Sequence, residues 1–226
     1  MKPIILTATM VMLLQITSCS QNNNKDRPAT NDNKQSKSTK HVGGHCEGCE
    51  AIYESPIPLE KLNPTDTLPD FNEPGPKIEV SGTVYRHDGK TPAKDVVIYV
   101  YHTDQTGHYS NKGNERGWGK RHGYIRGWLK TNKNGLYRFY TLKPASYPNS
   151  NIPKHIHVTV KEPDRNEYYI DEYLFEDDPF LTASERNKQE KRGGSGIIKL
   201  VPQSTGILHA TRNIVLGQNI PDYPSN

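Results

Sequence analysis

The sequence is poor in apolar residues: hydrophobic types make up 32% of its 226 residues and aromatic ones 8%. Even with glycine counted in, the share is about 40%, below the roughly 45–50% of ordinary globular domains. The shortfall is local. Between residues 20 and 42 only Ala29 and Val42 are apolar, and Asn, Gln, Lys, Ser and Thr dominate. Such a segment cannot bury enough surface to offset its ordering entropy, so 19–42 reads as a flexible polar tether. Excess charge of one sign is missing beyond it: the formal net charge of +4 belongs to Lys2 and the tether, which leaves residues 43–226 neutral. A neutral domain lacks the basic face that phosphates require, which excludes nucleic acid as a partner. There is no Gly-rich phosphate loop, Ser nucleophile elbow or basic helix, so nucleotide, esterase and DNA-binding readings fall away. No apolar run is long enough to cross a bilayer comfortably. The stretch from Ile4 to Ile16 follows Met1-Lys2 and has the form of an export signal, residues 1–18.

Cysteine is scarce as well, with three in the chain. Ile16-Thr17-Ser18-Cys19 resembles a bacterial lipoprotein cleavage box, which would make Cys19 the lipidated first residue of the mature protein and its anchor to a membrane. Ser20 lacks the aspartate that favours inner-membrane retention, so the expected location is the outer membrane, with the face left open. Cys46 and Cys49 then form an even pair in an exported protein, where a disulfide is the default, and closing so small a ring constrains the chain little. The alternative is a metal site, since His41 and His45 stand beside the two cysteines.

Proline punctuates residues 50–76, at 56, 58, 64, 69, 74 and 76, which excludes helix and central strand and makes 43–76 an extended Cys/Pro-rich arm. From Lys77 the texture is β. Ile78 to Tyr85 alternates in period two, and Val96 to Tyr101 is a β-branched and aromatic run suited to a strand buried on both faces. Tyr124–Thr131 and Leu136–Leu142 flank Asn134-Gly135, the signal of a hairpin. Further strands are expected at His155–Glu162, Tyr168–Phe175, Gly196–Val201 and Ile207–Leu216. One short helix is capped by Thr182 and Glu185 and stopped by Gly193-Gly194, with Lys188 to Arg192 as its polar end. The fold class is therefore all-β, an antiparallel sandwich over 77–226 with short connecting loops.

His155-Ile156-His157 places two imidazoles on one face of a strand, an arrangement that suits a metal. Tyrosine outnumbers phenylalanine 13 to 4. Tyr109 follows Thr103-Asp104-Gln105-Thr106-Gly107-His108 just beyond a buried strand, and Tyr147 sits in the turn that feeds the paired histidines. Loops at strand ends are where a sandwich carries its working groups.

In order and spacing these pieces resemble the catalytic domain of the intradiol ring-cleavage dioxygenases, the protocatechuate and catechol dioxygenase family. The similarity runs over 77–217 and leaves out the N-terminal arm. It is carried by Gly82-Thr83-Val84, by Tyr99 to Asp104 with Gly107-His108-Tyr109, and by Arg126-Gly127 with Thr131 to Tyr137. Lys143-Pro144-Ala145-Ser146-Tyr147-Pro148, Pro153-Lys154-His155-Ile156-His157 and Phe175 to Pro179 complete it.

The resemblance implies one non-haem Fe(III) per chain held by Tyr109, Tyr147, His155 and His157. Ferric iron is a hard cation matched by phenolate, and with two phenolates and a hydroxide the charge is neutral. The implied substrates are a small aromatic diol and O2. The diol binds as a dianion displacing hydroxide and one tyrosinate, the metal serves as Lewis acid and template, and the ring opens between the two hydroxylated carbons to a muconate-type dicarboxylate. Two positions depart from the family. Ile152 stands where an arginine offsets charge on the substrate, and Glu172 stands where a glutamine is usual. Losing one such oriented donor costs on the order of a hundred- to a thousand-fold in rate. Lys154 is the candidate replacement for the arginine, as 152 and 154 would share a strand face. Tyr101, His102 and Glu172 are candidate pocket residues, whereas His87, His108, His122 and, on its turn position alone, His102 read as solvated, and Trp118 and Trp128 read as packing or pocket wall.

Two other readings compete. His155, His157, Glu162 and His209 echo the two cupin motifs as a metal set, without the glycines expected before His155 and after Glu162 or the Pro-x-Gly element. A metal-containing sandwich on a lipoprotein can also be a binding module without turnover, since fold does not decide function.

Overall fold

A computed structural model describes residues 41–225. The export signal, Cys19 and all of the tether up to residue 40 lie outside the described residues. The strands are β1 (Thr65–Thr67), β2 (Lys77–Tyr85), β3 (Val97–Tyr101), β4 (Arg126–Lys130), β5 (Leu136–Leu142), β6 (His155–Lys161), β7 (Glu167–Phe175), β8 (Ile197–Ile198), β9 (Val201–Pro202), β10 (Leu208–Thr211) and β11 (Ile214–Val215). The helices are α1 (Gly119–His122) and α2 (Ala183–Asn187). One sheet runs β1-β5-β2-β10-β9 with β11 also on β2, and the other runs β4-β3-β6-β7-β8. The fold is an all-β sandwich. Its long central pairs are antiparallel, while the short strands β1, β8, β10 and β11 each join a neighbour in parallel. Each of these follows or precedes its partner by a long connection, which is what a parallel pairing needs. No helix among the described residues is long and apolar enough to cross a membrane.

Period-two alternation builds the core. Ile78, Val80 and Val84 of β2 meet Ile98, Val100, Ile156, Val158 and Val160 of the facing sheet. β3 is buried on both sides, because Val97 and Tyr99 on its outer face lie under Ala51, Ile52 and Leu62 of the arm. The second sheet therefore has a covered outer face, and the functional residues lie on it.

Four expectations change. The arm is not simply extended: Cys49–Glu54 and Leu59–Lys61 form 3-10 turns, and β1 pairs with β5. Val42, assigned by composition to the tether, is fully buried and exchanges hydrogen bonds with the Asn166 amide (3.0 and 2.9 Å). The strands flanking Asn134-Gly135 do not form a hairpin, because β4 pairs with β3 and β5 with β2, in different sheets. Gly135 at φ +69 is pressed against the Val84 carbonyl, so the turn is a corner between layers. Finally, Thr182 caps α2 through Glu185 N–H as expected, but the helix ends at Asn187. Arg192 is buried, donating to the Gly43 and Tyr169 carbonyls and lying over the Tyr169 ring. Lys188 is the exposed C-cap of α2, as expected, whereas Arg192 at the far end of the run anchors the arm.

Cys46 and Cys49 form a disulfide, which removes the four-ligand metal alternative with His41 and His45. A ring this small is worth about 2 kcal/mol at most by loop entropy. The double variant Cys46→Ser/Cys49→Ser is expected to lose no more than that in denaturant unfolding. A loss above 4 kcal/mol would mean that the disulfide holds the sandwich itself.

Candidate metal centre

β6 sends Ile156 into the core and turns His155 and His157 to the outer face of the second sheet. Tyr101 lies opposite His157 in the β3–β6 register, and their rings stack at 4.4 Å. On the other side, β7 carries a bulge: Ile156 pairs with Tyr173 and Val158 with Ile170, so two residues of β7 oppose one of β6. Tyr168 and Ile170 point inward before the bulge, Tyr173 and Phe175 after it. The extra residue shifts the alternation and keeps Glu172 out of the core. The Glu172 carboxylate lies 2.7 Å from His157 Nδ1.

Two loops bring the tyrosines. Asp104 knots the first, accepting from Thr106 N (2.8 Å), His108 N (3.1 Å), Thr106 Oγ1 and Ser110 Oγ. The second is tied to it by Ala145 N donating to Asp104 O and by Thr103 Oγ1 donating to Ala145 O. Gly107, at φ +83, lets the two backbones touch, since a Cβ there would lie 2.1 Å from Ser146 O. Burial pushes the Asp104 carboxyl up, but the hydrogen bonds from Ser110, Thr106 and His108 outweigh it and hold the group at about 2. A carboxylate depressed in this way stabilises the fold above its unfolded value of 3.8, and that contribution is lost as pH falls through about 2. Asp104→Asn should therefore flatten the stability curve between those two pH values, read by circular dichroism during acid titration. An unchanged acid limb would contradict the role of the knot.

Four donor atoms meet where strand and loops converge. Tyr109 Oη is 2.7 Å from both Tyr147 Oη and His157 Nε2, and Tyr147 Oη is 3.0 Å from His155 Nε2. His155 Nδ1 faces the Pro153 carbonyl at 2.7 Å and must donate to it, just as His157 Nδ1 must donate to Glu172. Both Nε2 atoms of the neutral rings are then lone-pair acceptors. The two phenol protons serve the two imidazoles, and the contact between the phenol oxygens has none left. Four inward lone-pair donors sharing two protons over three contacts are a donor set that a cation fits. Burial raises both phenols above their ordinary range, with the Tyr147 hydrogen bond and charge adding to the rise at Tyr109. Burial lowers His155, which favours its neutral, ligating form. At Glu172 burial pushes the carboxyl up, and the hydrogen bond from His157 Nδ1 pulls it down. His155, His157 and Glu172 also form a compact trio of metal-binding types, within 4.8 Å of one another. Glu172 is committed to the far nitrogen of His157, so the phenols complete the set better.

A dioxygenase family model matches residues 54–191, more than half of the chain. The chain belongs to the intradiol dioxygenase family. Within it, the chain is 28% identical over 113 residues to the protocatechuate 3,4-dioxygenase beta chain of Burkholderia cepacia, covering 47% of this chain and 48% of that one. The matched region thus spans about half the length of that relative. In fold it is similar to catechol 1,2-dioxygenase from Acinetobacter sp. ADP1, with a TM-score of 0.52, 18% identity, and 72% of this chain and 60% of that one covered. For hydroxyquinol 1,2-dioxygenase from Pseudomonas putida DLL-E4 the TM-score is 0.50 at 19% identity, covering 80% and 68%. The family match begins at Glu54, inside the arm. That residue clamps the α1 loop and β4 by accepting from Trp118 N, Gly119 N and Arg126 Nη1.

Around the family's strand, a cavity of about 300 Å³ lies between His157, Tyr101 and Glu172 on one side and the disulfide loop 45–49 on the other. Behind Tyr101 sits His122, stacked at 3.8 Å and bonded to Tyr99 Oη, where sequence reasoning expected a solvated turn. Nothing in the spacing of a loop histidine announces a stack built from three separate segments. His102 is likewise buried, with its nitrogens on Thr103 O and Thr141 Oγ1, and it lines a separate cavity beside Pro69 and Gln105. It belongs to the packing behind the strand, not to the mouth of the site.

Residues 151–154 precede β6, so Ile152 and Lys154 share no strand face, and Ile152 is exposed. Lys154 Nζ lies 3.5 Å from the buried Asp178 carboxylate, which also accepts from Lys154 N and Phe180 N. Lys154 thereby anchors the segment that carries the Pro153 carbonyl. Lys154→Ala is expected to lower metal content and turnover together. Full metal content with turnover alone reduced would restore the charge-offsetting role. The cupin-like set is not assembled. Glu162 lies five residues past His157, about 16 Å along a strand, and accepts from Tyr168 and Tyr223; His209 bonds Ser81 on the other sheet.

Proposed function

We propose that this chain is a non-haem Fe(III) intradiol dioxygenase that opens a catechol-type aromatic diol with O2 to a muconate-type dicarboxylate. The observation that carries the reading is the convergence of Tyr109, Tyr147, His155 and His157, with both imidazoles held as Nε2 acceptors. When bound, ferric iron would supply Lewis-acid activation of the diol ring. The chain's own part is to present the four donors on a rigid strand and two knotted loops. The tyrosines offer phenolate oxygens as bases for the protons of an entering diol. The Pro153 carbonyl and Glu172 keep the two imidazoles from rotating. Export and a lipid anchor at Cys19 belong to the same proposal, on the strength of the cleavage-box sequence.

The test is O2 uptake by the purified, iron-loaded protein on unsubstituted and substituted catechols, with product identified by mass. One O2 consumed per ring opened, with both oxygen atoms in a dicarboxylate, is the expected result. A second reading, metal binding without turnover, is favoured by the exposed Ile152 and the pairing of Lys154 with Asp178. Stoichiometric iron with no uptake on any diol would establish it.

A further inference from the structure

The two histidines of the centre are backed by unlike groups. His155 Nδ1 meets a neutral dipole, the Pro153 carbonyl, at 2.7 Å. His157 Nδ1 meets a carboxylate, Glu172, at the same distance. This second arrangement is built, not incidental. The β7 bulge that turns Glu172 outward is held from both sides: Asp171, its companion in the bulge, accepts from Lys191 N and Arg192 N at 2.9 Å each. Gly196 packs so closely that a Cβ would lie 2.0 Å from the Glu172 carbonyl oxygen. The His157 ring is further clamped by the face of Tyr101. A carboxylate behind a ligating imidazole fixes its tautomer and raises its basicity.

We propose that Glu172 is a positioning residue that locks His157 in the Nδ1–H tautomer and strengthens Nε2 as a donor, favouring the oxidised state of a metal bound there. The inference rests on the metal-centre reading above and deepens it. A glutamine at 172 can accept the same hydrogen bond without the charge, whereas leucine can do neither. The two substitutions therefore separate orientation from charge.

The experiment compares the wild type with Glu172→Gln and Glu172→Leu. In metal-free protein, 15N NMR of the imidazoles should show His157 as a single Nδ1–H tautomer in the wild type and in Glu172→Gln, and as a mixture in Glu172→Leu. With ferric iron added, Glu172→Gln should keep its iron, raise the reduction potential and move the tyrosinate charge-transfer band to lower energy. Glu172→Leu should weaken iron binding on the order of 10- to 100-fold. A Glu172→Gln protein with wild-type band and potential would overturn the role given to the carboxylate charge. A single Nδ1–H tautomer in Glu172→Leu would overturn the locking. A wild type that binds ferric iron without any tyrosinate band would instead overturn the metal-centre reading itself, which keeps the two failures apart.

Discussion

Tyr109→Phe and Tyr147→Phe, each loaded with iron, are expected to lose roughly a hundred- to ten-thousand-fold in turnover per iron, the range for removing a positioned acid–base group. The ring changes little in either case, since Phe keeps the packing of Tyr109 against Tyr101 and of Tyr147 against His155. What goes is the oxygen. Tyr109 Oη is the hub of the cluster, touching both Tyr147 Oη and His157 Nε2, so its loss also leaves His157 without its donor. Tyr147 Oη touches Tyr109 and His155. Both variants should unfold near the wild-type midpoint, because the phenols lie at loop ends and not in the sandwich core. Iron analysis beside O2 uptake separates lost metal from lost chemistry. Turnover per iron within threefold of wild type in either variant would remove that tyrosine from the mechanism.

Gly107→Ala is expected to cost about 2–4 kcal/mol, the upper range for a single substitution, and to release the metal as well. Two effects add. The φ of +83 is a left-handed conformation that a Cβ penalises by roughly 1–2 kcal/mol. The new atom would also lie 2.1 Å from Ser146 O, a backbone group that can yield only if the loops carrying Tyr109 and Tyr147 part. Gly89 provides the control, since its φ is +67 but nothing lies within 4 Å of the added carbon. Gly89→Ala should therefore show the conformational penalty alone, with iron content unchanged. Denaturant unfolding and iron analysis of the two variants would decide the matter. Equal destabilisation would mean that contact between the loops contributes nothing.

The elements legible in the sequence were those set by local periodicity. Alternation in β2 and the doubly buried run of β3 follow from side-chain polarity alone, and so does the outward pair His155 and His157 around inward Ile156. Features decided by distant partners were not legible. Asn134-Gly135 has the local signature of a hairpin, yet β5 finds seven partners on β2 and the turn becomes a corner. Val42 looks like the end of a polar tether, and Arg192 like part of a helix end. Each is fixed by a contact more than a hundred residues away in sequence, through Asn166 and Gly43 respectively. The tyrosines could be placed beside the histidines only through the order of several motifs, because no spacing rule links Tyr109, Tyr147 and a strand. The bulge that aims Glu172 had one faint trace: the inward phase set by Tyr168 and Ile170 would otherwise have put a glutamate in the core.

Two phenolate oxygens and two imidazole nitrogens of this cluster are proposed to hold ferric iron. A visible absorption spectrum of the purified protein, taken beside metal analysis of the same sample, tests it most directly. The expected result is a red to purple colour from tyrosinate-to-iron charge transfer, about one iron per chain, and bleaching of that colour in Tyr147→Phe. A colourless protein that stays colourless after reconstitution with ferric iron, or that retains zinc or manganese instead, would contradict it.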